Sequence, residues 1–231
     1  MAAVASRELR DREVVFVGIG LPNLACNLAR RTHAPHLVLI YESGAVGAAP
    51  ERLPVSIGDP ALVTGSLMVC GMADVFQLFL QNGRIEVGFL GGAQVDRYAN
   101  INTTVIGPYE RPTVRLPGSG GAAEIAIHAR RILIVSKLSP RAFPERVDFV
   151  TSPGRRVKRV ITDKAVLEPS APGGELVLTA LYPGVRETDV RAAVGWELRS
   201  RAPLDCVDPP TTLELALLRE VLDPQRLYLK G

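Results

Sequence analysis

Runs of branched and large apolar residues recur along the chain at VVFVGI (14–19), HLVLIY (36–41), IEVGFL (85–90), RILIVS (131–136), VKRVIT (157–162) and ELVLTA (175–180). Most are continuous rather than alternating, the pattern of strands covered on both faces. Helical spacing takes over between several of them. Pro22 to Arg31 puts Leu24, Ala25, Leu28 and Ala29 on one face, with Pro22 suited to a first turn whose N–H has no partner anyway. Met72 to Gln81 groups Val75, Phe76, Phe79 and Leu80, and Gly83 follows as a stop. This alternation predicts an α/β fold: an open, largely parallel sheet with helices on both faces.

The last third changes character. The runs at 157–162 and 175–180 are separated by the Pro/Gly-rich stretch EPSAPGG, which predicts an antiparallel pair. A short helix is expected from Glu187 to Val194, ending at Gly195. A final one opens with Thr211 and Glu214 at capping-box spacing and stops before Pro224. With no internal repeat and no low-complexity linker, the 231 residues read as one domain, whose part from about 151 onward completes the sheet and packs helices.

Composition narrows the function classes. The chain is 47% hydrophobic and 22% charged, too apolar for a disordered protein. No stretch reaches the roughly 18 apolar residues of a membrane span. The N-terminus MAAVASRELRDREVVFVG carries charges where a signal peptide needs apolar residues, so the expected location is the cytoplasm. Net charge is only +3, and the densest basic cluster (Arg155, Arg156, Lys158, Arg159) lacks interleaved aromatics, so it reads as a solvated strand edge and not as a nucleic-acid site. Cys26, Cys70 and Cys206 form no CxxC pair, His33, His36 and His128 form no ligand spacing, and no metal is expected.

The remaining chemistry lies in glycine-bearing turns after strands and in one carboxylate. VGIGLPN (17–23) opens like a dinucleotide fingerprint, but the third glycine position falls on Asn23. It is either a tight strand-to-helix turn or a backbone bared at Gly18, Ile19 and Gly20 for a ligand. GGAQVD (91–96) follows the third strand and offers Gly92 and the Gln94 side chain, which is a candidate acid-binding group. GSGG within LPGSGGAAE (116–124) frees amides at Gly118, Gly120 and Gly121 before a helical stretch. Asp96, Asn100 and Asn102 read as groups that satisfy backbone and shape a loop, and Asp59 as a turn former. Glu42 ends the second strand and is followed at once by Ser43 and Gly44. Carboxyl ends of strands are where open α/β sheets bind ligands.

An ordered set of segments then resembles one family almost end to end: GIGLP (18–22), ESGAVG (42–47), GRIEVGFLGGAQVDRYANIN (83–102), GSGGAAE (118–124), VITDKAVLE (160–168) and YPGVRETDVRAAVGWEL (182–198). The chain resembles the β subunits of class I CoA-transferases, in particular the glutaconate CoA-transferase-like branch. The resemblance implies that superfamily's open α/β fold and a catalytic glutamate in a motif usually written Ser-Glu-Asn-Gly. Here the motif reads Tyr41-Glu42-Ser43-Gly44, so the glutamate and glycine are kept while both flanking residues differ. It implies that Glu42 is the nucleophile, and that the turns at Gly18–Gly20 and Gly118–Gly121 lie near it. Coenzyme A enters as a substrate, with no tightly bound cofactor. An α subunit is the implied partner, in an α2β2 or larger assembly with the active site at the interface. The expected reaction moves CoA between an acyl-CoA and a carboxylic acid, dicarboxylic or keto. Two alternatives stand beside it: an acyl-CoA thioester hydrolase of the same fold, and a non-catalytic ligand-binding subunit.

Overall fold

The computed structural model describes residues 1–50 and 52–229. The chain divides into two compact units, one formed by Met1–Phe89, His128–Arg130 and the stretch from Pro210 onward, the other by Leu90–Ile127 and Arg131–Pro209.

The first unit opens with helix α1 (Ala2–Arg7), strand β1 (Val14–Phe16), helix α2 (Leu21–Arg30) and strand β2 (Val38–Ile40). Two short strands follow, β3 (Ala45–Val46) and β4 (Met68–Val69). A helical segment, α3 (Met72–Asp74), winds on through 75–80 with wider turns and leads to β5 (Val87–Leu90). The strand order is β5-β1-β2-β3-β4. β1 runs parallel to both β2 and β5, while β3 and β4 return antiparallel. β5 is buried at every position, as its unbroken apolar run predicts.

A C-terminal helix, Thr212–Ala216, continued by a wider-wound turn to Leu222, packs back on this unit. It starts where the capping box was expected: the Thr211 side chain accepts from Glu214 N at 3.1 Å, and Glu214 Oε2 accepts from Thr211 N at 2.7 Å. Leu218 and Leu222 join Ala2, Ala3, Leu24, Leu28 and Leu53 in one apolar cluster. Each large aliphatic side chain buried this way contributes about 1.5–3 kcal/mol before the cost of ordering it. The Arg7 guanidinium donates to both Glu214 oxygens, at 3.0 and 2.6 Å, tying α1 to the C-terminal helix.

The second unit carries two small hairpins, β6 (Gln94–Val95) with β7 (Ile101–Asn102) and β8 (Val105–Ile106) with β9 (Val114–Arg115). Helix α4 (Ala122–His128) precedes a sheet of β10 (Arg131–Val135), β11 (Val157–Ile161), β12 (Ala165–Pro169), β13 (Leu176–Leu181) and β14 (Ser200–Cys206), with α5 (Glu187–Arg191) before the last strand. The antiparallel pair expected between 157–162 and 175–180 is corrected here. β12 lies between those strands and pairs antiparallel with both. The turn at Thr162–Lys164, closed by Thr162 N donating to Ala165 O at 2.9 Å, makes the first hairpin, and EPSAPGG makes the second. AVLEP hides as a strand because Glu168 and Pro169 end it. β14 hides because its exposed, proline-bearing sequence suits only a sheet edge, which is where it pairs, parallel to β13. In the basic cluster, Arg159 pairs with Glu168 at 2.7 Å.

Candidate functional site

β1 and β2 set the geometry in the first unit. Their register ends at Phe16 opposite Ile40, and Val17 N donates to Ile40 O at 3.0 Å. Both chains therefore leave the sheet at the same level, at their carboxyl ends, one into Gly18-Ile19-Gly20 and the other into Tyr41-Glu42. Gly20 caps α2 with φ +89°, a conformation that glycine adopts without strain. Gly18 and Ile19 are exposed, and a Cβ placed on Gly18 would meet nothing within 4 Å. The first-turn amides of α2 have no intrahelical acceptor, as at any helix start.

Glu42 stands in a tight turn between β2 and β3. Gly44 N donates to Tyr41 O at 3.0 Å, and Tyr41 N donates to Ala45 O at 2.9 Å. Gly44 takes φ +110°, and its carbonyl accepts from Cys70 N at 3.0 Å. Glu42 is half-buried and Ser43 exposed. Among the described residues the Glu42 carboxylate takes no hydrogen bond and forms no ion pair, so neither a helix cap nor an arginine occupies it.

Behind this turn lies a polar group that sequence reading passed over. Asn23 Nδ2 donates to the Tyr41 hydroxyl at 2.6 Å, and Asn27 Nδ2 donates to Asn23 Oδ1 at 2.9 Å and to Asn23 O at 3.0 Å. Tyr41 and Asn23 are fully buried. Burial pushes the Tyr41 phenol well above its ordinary range, and the neighbouring Cys26 thiol, itself buried, adds to the effect. The signal for this group was two asparagines four residues apart, on a helix whose neighbouring positions all read as core.

The second unit holds the other predicted residues. Gly92 must be glycine for packing, since a Cβ there would sit 2.3 Å from the Ile101 side chain and 3.0 Å from Asn102 O. Gln94 is buried: its Oε1 accepts from Asn102 Nδ2 at 2.7 Å and from Asp148 N at 3.1 Å, and its Nε2 donates to Asp148 at 3.1 Å. One Nε2 hydrogen takes no hydrogen bond among the described residues. Asp96 accepts from the backbone of Tyr98 and Asn100, and Asn102 from that of Thr104 and Val105, the loop-shaping roles expected of them. The GSGG stretch is anchored at Gly118, whose N donates to Thr103 O at 2.8 Å and whose O accepts from the Thr103 hydroxyl at 2.7 Å. Gly118 and Gly120 take φ +96° and +47°, with open space where a Cβ would be. Gly121 O accepts from Ile125 N at 3.0 Å as α4 begins. Asn102 and Thr103 thus join the Gly92–Gln94 hairpin to the glycine loop, while Gly18, Ile19, Gly20 and Gly44 gather with Glu42 in the first unit. Among the described residues no three His, Cys, Asp or Glu side chains are placed to hold a metal ion.

Comparison with known proteins adds an independent line. The family model described as "Coenzyme A transferase" matches residues 1–193. The chain is 46% identical to the B-type subunit of the 3-oxoadipate CoA-transferase of Pseudomonas knackmussii, covering 95% of this chain and 90% of that protein. It is 30% identical to the B-type subunit of the glutaconate CoA-transferase of Acidaminococcus fermentans, over 99% of this chain and 93% of that one. The crystal structure of glutaconate coenzyme A-transferase from Acidaminococcus fermentans superposes with a TM-score of 0.91 at 29% identity, covering all of this chain and 95% of the matched one.

Proposed function

The chain belongs to the coenzyme A transferase family, and from that we propose that it serves as the β subunit of an enzyme that moves CoA between an acyl-CoA and a carboxylic acid through a glutamyl-CoA thioester on Glu42. The observation that carries this reading is a carboxylate without a partner among the described residues, at the carboxyl edge of parallel strands beside the open Gly18–Gly20 turn. The names of the two relatives carry 3-oxoadipate and glutaconate, both dicarboxylic acids, and this supports a dicarboxylic or keto acid as a substrate here.

The chemistry follows from the carboxylate. Glu42 attacks the thioester carbonyl of the donor, forming an acyl anhydride and releasing CoA thiolate. The thiolate then attacks the glutamyl carbonyl of that anhydride, giving the enzyme thioester and the free donor acid. The acceptor acid reverses both steps, so the thioester bond is conserved and no water is consumed. Each step passes through a tetrahedral oxyanion. Backbone donors at the Gly18–Gly20 turn are suited to meet it, each worth about 2.7–4 kcal/mol when well aimed. A Glu42 carboxylate without a competing partner is a ready nucleophile, whereas one held by arginine would first have to break that pair.

The α partner finds support in the edge of the first sheet. β4 is its outer strand, with Val69 61% exposed and the preceding Leu67 80% exposed, and Cys70 N joins this edge to the turn of Glu42. Exposed apolar edge strands are otherwise an aggregation hazard, and a subunit that covers one removes it.

The test uses the chain assembled with its α subunit. Incubation with acetyl-, succinyl- or glutaryl-CoA and no acceptor should leave a borohydride-reducible thioester that peptide mapping places on Glu42. Glu42→Gln should abolish the adduct and turnover while leaving the melting temperature near that of the parent. A Glu42→Gln enzyme that still transfers CoA would overturn the reading, and steady release of free CoA without an acceptor would mark a hydrolase instead.

A further inference from the structure

Tyr41 occupies an unusual place in the turn that carries Glu42. Its N–H and its carbonyl make the two backbone hydrogen bonds that close that turn, to Ala45 O and from Gly44 N. Its side chain points the other way, into the first unit, and ends on Asn23 at 2.6 Å. Asn23 is the third residue of α2, so it sits directly behind Gly18-Ile19-Gly20. One side-chain hydrogen bond therefore spans the two segments that the reaction must hold in register. Asn27, a helical turn further on, fixes the Asn23 amide by donating to its Oδ1.

These three groups lie in an apolar interior where they confer no advantage as mere filling. A phenylalanine and two leucines would occupy similar volume without the cost of drying a hydroxyl and two amides. What the polar connection adds is direction: a phenol–amide bond of this length fixes the sideways placement of strand end against helix start, which apolar contact leaves loose. Burial raises the phenol's pKa and so favours its neutral, hydrogen-bonding form, in which it can act through geometry.

Resting on the reading of Glu42 as nucleophile, we propose that Tyr41 and Asn23 form a positioning pair that locks the Gly18–Gly20 turn to the Glu42 turn, so that the backbone donors of the one face the carbonyl attacked by the other. Neither side chain touches substrate. Both are positioning residues.

The assembled enzyme, its Tyr41→Phe and Asn23→Ser variants and the double variant are compared by rapid quench with acetyl-, succinyl- and glutaryl-CoA, following glutamyl-CoA on Glu42 by mass. Misplacement of reacting groups by about an ångström costs up to ~100-fold in rate. Each single variant should accordingly slow adduct formation by roughly 10- to 100-fold, with KM for the acyl-CoA within about twofold, because the loss falls on the chemical step. The double variant should be no slower than the worse single one, since the pair acts as a unit. The pH–rate profile of Tyr41→Phe should keep the shape of the parent's. Asn23→Ser alone carries the same forecast should Tyr41→Phe fail to assemble. Wild-type rates of adduct formation in either single variant, multiplicative losses in the double variant, or a lost limb in the pH profile would overturn the pair while leaving Glu42 as nucleophile. Absence of any Glu42 adduct in the parent enzyme would overturn the underlying reading itself.

Discussion

Gly44 shows how a single hydrogen in place of a side chain can hold a site together. An added Cβ would lie 1.9 Å from the Cys70 carbonyl oxygen, and the backbone there already stands at φ +110°. Gly44→Ala therefore combines a strained conformation, about 1–2 kcal/mol for a residue with a Cβ, with a backbone clash that only movement of the turn relieves. We expect a lower melting temperature and a fall in kcat larger than the loss of folded protein explains, because the turn that moves carries Glu42. Thermal melting and active-site titration on the same sample separate the two effects. Gly18→Ala is the matched control at this scale: its Cβ meets nothing within 4 Å, so its melting temperature should stay near that of the parent. Any loss of rate it shows then reports crowding of the ligand's approach.

At the scale of elements, the connection from β3 to β4 is organised by one carboxylate. Asp59 accepts from the two terminal Arg52 guanidinium nitrogens, at 2.7 and 2.8 Å, from Val55 N at 3.0 Å and from Ala61 N at 2.9 Å. The turn-forming role read from its sequence setting holds, and the arginine is an addition. These contacts, the Arg52 hydrogen bond foremost, hold the Asp59 carboxyl well below its ordinary range. A carboxyl with a depressed folded pKa stabilises fully above its unfolded value, near ~3.9, and loses that contribution as the pH falls toward the folded value. Asp59→Asn should thus lower the melting temperature at pH 7, and the gap between variant and parent should narrow as the pH is taken from about 4 toward 2. Thermal melts across that range check it, and a gap that widens on acidification would count against the ion pair.

For the whole molecule, the exposed edge of the first sheet sets the expectation. Leu67, Met68 and Val69 lie along β4 and the residue before it, all exposed. Val69→Lys should leave the isolated chain folded, since an exposed edge position loses little packing, and should weaken its assembly with the α subunit. Sedimentation of the co-expressed pair reads this directly. A heteromer formed as readily as by the parent chain would place the partner on another face.

What the sequence alone determined is local or carried by ordered motifs. Strand runs such as 36–41 and 85–90, the helix beginning near Pro22 and the Thr211 capping box depend on neighbours within a few residues, and each stands where its pattern put it. At Glu42 the local pattern fits a strand-end cap or an arginine partner as well as a nucleophile, and the resemblance to the CoA-transferases, carried by the ordered motifs, is what singles it out. Tertiary structure decided what depends on distance along the chain. β12 ends in Glu168 and Pro169 and β14 is exposed and proline-bearing, and only pairing with β11 and β13 for the one and with β13 for the other makes them strands. Gly44 has no room for a side chain because the carbonyl oxygen of Cys70, 26 residues on, lies 1.9 Å from where a Cβ would go. The bond between Asn23 and Tyr41 spans 18 residues, and nothing in the local pattern of either residue announces the other. Apolar periodicity records which face is buried, whereas a buried polar contact is fixed by the one neighbour that satisfies it, and only the folded chain names that neighbour.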